Sequence, residues 1–313
     1  MANLARGLAS DNRAPHDFAG DHGSIPVSES AFVGAVRLPC LSPARGRGKE
    51  RGHRSSCVQP PLPSSPPNRG EEIDCGARGD PSVTPLDFDC AGQRLQALPA
   101  GALLWPARRV LAVADLHLEK GSSYAIAARK LLPRHDTLQT LTLLAALIEA
   151  FAPKTVVCLG DSFHDRQAIE RLPPDASRQI EKLTRRTQFV WVAGNHDPAP
   201  PRQDWGDVAE ELREGPLMFR HEARFGPADG EISGHFHPVA ALTVHGRGMR
   251  RRCFLTDGRR AILPAFGAYA GGLNALDPAI AQLFPDDYDA LIVGRESVRR
   301  LSWRRLRPDL VLA

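Results

Sequence analysis

The sequence predicts an α/β domain that runs on into a β-rich half, joined as one unit over residues 84–313 behind a disordered extension over 1–83. Three features predict it. Between residues 109 and 193, short apolar runs alternate with amphipathic stretches, the strand–helix–strand pattern of a sheet with crossover helices. Beyond Gly230 the apolar runs crowd together with little helix between them. Residues 1–83 are rich in Pro, Gly, Ser and Arg and keep neither period, so they cannot offset their ordering entropy by burying a face.

Taken in order, residues 86–90 and 94–98 flank Ala91-Gly92-Gln93 and read as an opening hairpin. The apolar run 109–114 is a buried strand. Residues 136–151 carry Leu138, Leu141, Leu144, Ala145 and Ile148 at the spacing of one helix face. A second buried strand covers 155–159, a second helix 174–187 and a third strand 188–193. Short strands follow at 232–233, 239–244, 252–256, 261–263 and 290–293, with no internal repeat.

Composition narrows the classes. A chain of 313 residues can bury a substantial core. No run approaches the roughly 18 apolar residues of a membrane span. The first residues lack the apolar centre of a secretory signal, so a cytoplasmic protein without a membrane partner is expected. The six cysteines form no CxxC pair, which argues against a structural zinc site, and Cys158 and Cys253 read as buried core thiols. Net charge is only +4, so total charge does not mark a nucleic-acid binder. The extension is nearly balanced, ten Lys/Arg against nine Asp/Glu, and its basic stretch 45–54 reads first as a solvated linker and second as a DNA-binding tail.

The chemistry lies at strand ends. The first strand runs into Asp115-Leu116-His117, the second into Gly160-Asp161-Ser162-Phe163-His164-Asp165, and the third into Gly194-Asn195-His196-Asp197. Ligands of open α/β sheets bind beyond the carboxyl ends of the strands, so these clusters converge on one edge. His221 and Gly234-His235-Phe236-His237 follow. Asp115, His117, Asp161, Asn195, His221, His235 and His237 make seven candidate ligands, too many for one ion with an open position. They suit two ions about 3.5–4 Å apart sharing a carboxylate. Imidazole mixed with carboxylate favours Mn, Fe or Zn over Mg or Ca alone.

DxH, GD, GNHD and GHxH in this order resemble the calcineurin-like metallophosphoesterases. The segments 114–121, 159–165, 232–238 and 263–274 (ADLHLEKG, LGDSFHD, ISGHFHP, LPAFGAYAGGLN) resemble, more narrowly, the ligase-associated DNA damage response endonuclease family PdeM, over about residues 86–300. The extension has no counterpart in that family. The resemblance implies a four-layer αββα sandwich with a two-metal site, most simply two Mn ions, with Fe or Zn as alternatives. It implies that Asp115, His117 and His237 hold one metal, that Asn195, His221 and His235 hold the other, and that Asp161 bridges. His245 competes with His221, whose local motif is short. The resemblance also places His164 near the scissile phosphate or in support behind it. It implies DNA as substrate, a role in repair, and association with a DNA ligase and a helicase.

A metal-bridged hydroxide would then attack phosphorus. His196, whose neighbour Asn195 points to the other side of an extended segment, is free to act as general acid. Asp197 either orients His196 or serves as a helix cap or loop residue. Residues 247–313 hold twelve Lys/Arg against seven Asp/Glu, and 246–252 with Arg259 and Arg260 form either a phosphate track or a solvated hairpin. Segment 266–272 either lets a substrate backbone approach or packs as a turn beneath the sheet. A phosphomonoesterase or small-nucleotide phosphodiesterase on the same scaffold is the second reading, and an inactive interaction scaffold the third.

Overall fold

The computed structural model describes residues 84–126, 135–197, 203–269 and 271–309. The extension expected over 1–83 lies outside these residues, with Cys40, Cys57 and Cys75.

The first sheet is β1 (Leu86–Cys90), β2 (Gln93–Ala97), β3 (Leu103–Trp105), β4 (Val110–Ala114), β5 (Thr155–Leu159), β6 (Gln188–Val192) and β7 (Asp207–Ala209), adjacent in that order. β1 to β4 pair antiparallel, and β4 to β7 pair parallel. The opening hairpin is present, with Leu86 opposite Ala97 and Cys90 opposite Gln93. Its turn takes only Ala91 (φ 49) and Gly92 (φ 71), the doubly positive pair of a two-residue turn, so β2 starts one residue earlier than expected.

The crossovers carry α1 (Lys120–Ile126), α2 (Asp136–Phe151), α3 (Ala168–Arg171) and α4 (Pro174–Thr184). α4 stops three residues short of the expected Thr187. The Thr187 hydroxyl donates to the carbonyls of Pro153 and Lys154, so that residue ties the chain into position for β6 instead of extending the helix. β4 is apolar throughout, and β5 is so after Thr155, because both faces are buried. Leu111, Val113, Val156 and Cys158 pack with Leu141, Leu144, Ile148, Ile180 and Leu183 of the helices. The alternate residues Val110, Ala112, Val157 and Leu159 face the second sheet.

That second sheet is β8 (Glu211–Glu214), β9 (Leu217–Arg220), β10 (Glu231–Ser233), β11 (Val239–Val244), β12 (Arg247–Thr256), β13 (Arg260–Ile262), β14 (Asp289–Val293) and β15 (Val298–Ser302). Its order is β15-β14-β12-β13-β10-β9-β8, with β11 paired to β12. It begins well before Gly230, where the change in character was expected. β8 reads Glu-Leu-Arg-Glu and carries no apolar run to betray it. β12 likewise starts at Arg247 rather than at 252, because its first half is arginine-rich and stands in a hairpin with β11.

Phe219, Ile232, Phe254, Leu263 and Leu291 fill the space between the sheets. The outer face of the second sheet is covered by α5 (Pro278–Ala281) and the chain around it, through Ala275, Ile280, Leu283, Phe284, Tyr288 and Leu306. The expected four layers are therefore present, with a thin fourth. Cys158 and Cys253 are fully buried, and burial raises both thiol pKa values. No helix among the described residues is long and apolar enough to cross a membrane.

Phe254 is fully buried between the sheets. Phe254→Ala should cost about 3–5 kcal/mol, read as a lower denaturation midpoint in urea.

Candidate metal centre

β4, β5 and β6 are parallel neighbours, so their carboxyl ends set Asp115, Asp161 and Asn195 side by side. β9 and β10 are parallel neighbours in the other sheet, and their ends lead to His221 and to His235 and His237. Backbone groups tie the two edges together. His221 Nδ1 donates to the carbonyl of Leu159 at 3.0 Å, and the His235 amide donates to Asp115 Oδ2 at 2.9 Å. All seven expected ligands meet in one cluster. The competitor His245 does not join them: it is exposed in the β11–β12 turn, at φ 49 beside Gly246.

The local backbone is unusual. Asp115 (φ 53), His117 (φ 44), Glu119 (φ 66), Asp161 (φ 45), His235 (φ 69) and His237 (φ 47) are all left-handed, a region that side-chain-bearing residues rarely enter. In the loop after β4, Leu116 and Leu118 alternate with these residues and enter the core beside the helices. Gly194, which opens the cluster after β6, does not take a positive φ. A Cβ there would sit 2.2 Å from the Asp161 nitrogen and 2.3 Å from Asp161 Oδ1, so space requires the glycine.

The donor set fits divalent ions. Asp115 is 0% exposed, and its Oδ1 has no hydrogen-bond partner. That oxygen lies 3.4 Å from His237 Nε2, which is 3.3 Å from His117 Nε2. His237 Nδ1 faces the Gly271 carbonyl and donates its proton there, so in the neutral ring Nε2 is a lone pair aimed at Asp115. On the other side, His221 Nε2 is a second bare lone pair, 2.8 Å from Asn195 Oδ1, 3.1 Å from His235 Nδ1 and 3.5 Å from Asp161 Oδ1. Acceptors aimed at acceptors repel unless a cation stands between them. Among the described residues, two groups of His and Asp have ligand atoms mutually within 4.8 Å: Asp115 with His117 and His237, and Asp115 with Asp161 and His221. Asp115 is common to both, and Asp161, the expected bridge, stands beside it in the second. Burial, reinforced by the charge of His237, pushes His117 down to about 2. Burial also lowers His237, but the Asp115 carboxylate outweighs it, so the net shift is upward.

The calcineurin-like phosphoesterase family model matches residues 108–312. The chain belongs to the calcineurin-like phosphoesterases. These are hydrolases of phosphoester bonds, and the family uses a dinuclear metal site. The crystal structure of Pseudomonas putida nuclease MPE is similar, with 30% identity over 70% of this chain and 100% of that one, and a TM-score of 0.55. Yfce, a phosphoesterase from E. coli, is 14% identical over 62% and 98% of the two chains, with a TM-score of 0.31. No curated protein matches.

Beside the phosphoesterase cluster stand His164 and His196, their rings stacked at 5.6 Å. His196 lies 5.3 Å edge-on from His117, and its amide donates to Asp161 Oδ1. Its Nδ1 is held 2.9 Å from the His164 carbonyl, which leaves Nε2 free, 3.9 Å from Asp161 Oδ2. Orientation of His196 was one of two roles expected of Asp197, and the structure corrects it. Asp197 Oδ2 instead accepts the Phe163 amide at 3.0 Å, so it braces the loop after β5. Burial pushes the Asp197 carboxyl up to about 7, opposed by that amide and aided by repulsion from Asp161. Burial likewise pushes His164 down to about 4. Arg171 grips Asp165 with two bonds, 2.9 and 2.6 Å, and fixes the far end of the same loop.

Several supports escaped sequence reasoning. Glu119 is buried and accepts the Thr137 hydroxyl at 2.8 Å, while that hydroxyl accepts the Glu119 amide. Asp136 accepts the Gly121 amide. These bonds pin the loop after β4 onto the start of α2. At Phe266 and Gly267 the segment expected over 266–272 packs as a turn, the second of its two readings. The Phe266 amide donates to the Ala114 carbonyl, and the Gly271 carbonyl orients His237. The basic stretch also divides. Arg260 is 2% exposed, donates to the Gly226 carbonyl and lies 3.6 Å from Glu231, so it is structural and lines no phosphate track. Arg250 remains at the surface.

A Cβ at Gly267 would lie 2.2 Å from the Leu116 carbonyl oxygen. Gly267→Ala should displace the Asp115–His117 loop and lower metal content at least tenfold while the far-ultraviolet circular dichroism stays native. Elemental analysis of the purified variant checks it.

Proposed function

We propose that this phosphoesterase is a Mn-dependent phosphodiesterase that cuts DNA in repair, one of the ligase-associated endonucleases. The observation that carries the reading is His196, tethered at Nδ1 by a carbonyl with Nε2 open beside the cluster. A proton donor there matters only where the leaving oxygen is a poor one, as a sugar alkoxide is. The 30% identity to a nuclease over that protein's whole length supports nucleic acid as the substrate. Association with a DNA ligase and a helicase rests on family resemblance alone, and co-purification tests it.

Asp115, His117 and His237 would hold one ion, Asn195, His221 and His235 the other, with Asp161 between them. Two bound divalent ions supply Lewis-acid chemistry, making water a nucleophile near neutral pH and neutralising phosphate oxygens. The chain does the rest. Leu159 and Gly271 carbonyls fix which nitrogens of His221 and His237 face inward. His196 delivers a proton from Nε2 to the departing oxygen while its Nδ1–H stays bonded to the His164 carbonyl. His164, stacked on His196, lies beside the scissile phosphate.

Manganese should activate the enzyme and calcium should not, given the mixed imidazole, carboxylate and amide donors. Full activity with Mg, and no gain from Mn, would count against the ligand set. His196→Ala should keep both metals and lose roughly 10²–10⁴-fold in DNA cleavage, with far less loss on bis(p-nitrophenyl) phosphate, whose nitrophenolate leaves without a proton. Asp161→Ala should lose metal and both activities together. Equal losses by His196→Ala on the two substrates would remove the general-acid role.

A further inference from the structure

A groove of about 470 Å³ opens from the metal cluster along the second sheet, lined by His235, Phe236, His237, Gly272, Leu273 and Ala279. Its volume is within the range of small-molecule sites. Metal binding explains the two histidines and leaves the remainder without a purpose. Leu273 is 40% exposed, yet its backbone is bonded on both sides, to Phe236 and to Val239. An apolar side chain is thus held out over the groove on a fixed backbone. The wall beside it is bare main chain, because a Cβ at Gly272 would lie 2.1 Å from the His237 carbonyl oxygen. Arg250 donates to the Gly272 carbonyl at 3.2 Å and pairs with Asp309 at 3.3 Å, both side chains being about half exposed. Such a surface pair contributes little, and its guanidinium can exchange Asp309 for another anion.

His196 stands elsewhere on the cluster. Its contacts are with His117, Asp161 and His164, and none of the side chains beyond the metal ligands is shared with the groove. A phosphodiester whose leaving oxygen points at His196 Nε2 must direct its other ester substituent away from that side, because the two diverge from phosphorus. We propose that the groove holds the nucleoside on the non-leaving oxygen of the scissile diester, with Leu273 against its base or sugar and Arg250 reaching the next phosphate. This assignment rests on the diesterase reading and deepens it, since a monoester offers nothing to fill the groove.

Two substrates with the same leaving group test it: thymidine 5′-(p-nitrophenyl) phosphate and methyl p-nitrophenyl phosphate. They differ only in what the groove would receive. With the Mn-loaded full chain, kcat/KM should favour the thymidine ester by roughly tenfold or more, the size of an apolar-pocket contact. Leu273→Ser should bring that ratio several-fold closer to one at unchanged metal content, while Leu273→Met, which keeps the apolar surface, should retain it. Adding a 3′-phosphate to the thymidine should raise kcat/KM further, and Arg250→Gln should abolish that gain. A wild-type ratio near one, or a ratio that Leu273→Ser leaves alone, overturns the groove assignment with the diesterase intact. Hydrolysis of neither diester overturns the diesterase reading itself.

Discussion

Two carboxylates buried at the ends of neighbouring parallel strands set the terms for this structure. Asp115 and Asp161 follow β4 and β5, at 0% and 3% exposure. Each accepts one backbone amide, from His235 and His196 respectively. One amide does not offset the desolvation of a full charge. Asp115 Oδ1 faces His237 Nε2, and Asp161 Oδ1 faces His221 Nε2, nitrogens of rings whose Nδ1 protons are turned the other way, toward the Gly271 and Leu159 carbonyls. The arrangement is stable as a set only around positive charge, which is why the same contacts that strain the protein make it a receptor for divalent ions.

Holding that geometry is costly, and the surrounding chain meets the cost. Six left-handed residues at about 1–3 kcal/mol each amount to a load comparable with the stability of a whole domain. The offsets are local and specific. Leu116 and Leu118 anchor the loop after β4 in the helix-side core, Thr137 and Asp136 bond its far end, and Phe266 and Gly267 pack beneath it. The segment from Leu263 to Asn274 thereby connects the ligand loops of both sheets. It touches the Asp115 loop through Gly267 and the His237 ring through the Gly271 carbonyl.

What could be read in the sequence was whatever sat at the end of an apolar run. Asp115, Asp161 and Asn195 stood out because β4, β5 and β6 are apolar on both faces and their ends are abrupt. His221 follows β9, whose residues alternate buried and half-buried, so its signal was weak and His245 looked like a rival until the hairpin turn placed it in solvent. β8 and the first half of β12 were illegible because edge and hairpin strands are charged and need no apolar pattern. The partner of Asp197 was beyond reach for another reason. Asp197 and His196 are adjacent in sequence, but the Phe163 amide and the His164 carbonyl that claim them come from a different loop. The need for a glycine at 194 was illegible too, because it comes from crowding against Asp161, a residue of another loop.

The two sheets contribute unequally around the shared centre. His164 and His196 both come from loops of the first sheet, and the His196 ring is held by the His164 carbonyl, a main-chain group of that sheet's own loop. The groove with Leu273, Gly272 and Phe236 belongs to the second sheet. Metal ligands come from both. A pair of sheets meeting at one cluster would, on the proposed reading, separate two tasks that a phosphodiester demands at once: a proton for the group that departs, and a grip on the group that stays. Because the metal cluster lies between them, the residues of one task can vary without moving the other. Leu273 in the groove wall is an exposed side chain over a bonded backbone, where substitution changes contact and not fold. The His196 tether, in contrast, is made by main chain braced through Asp197 and Arg171. On the proposed reading, the construction keeps proton delivery rigid and leaves recognition of the retained substituent open to change.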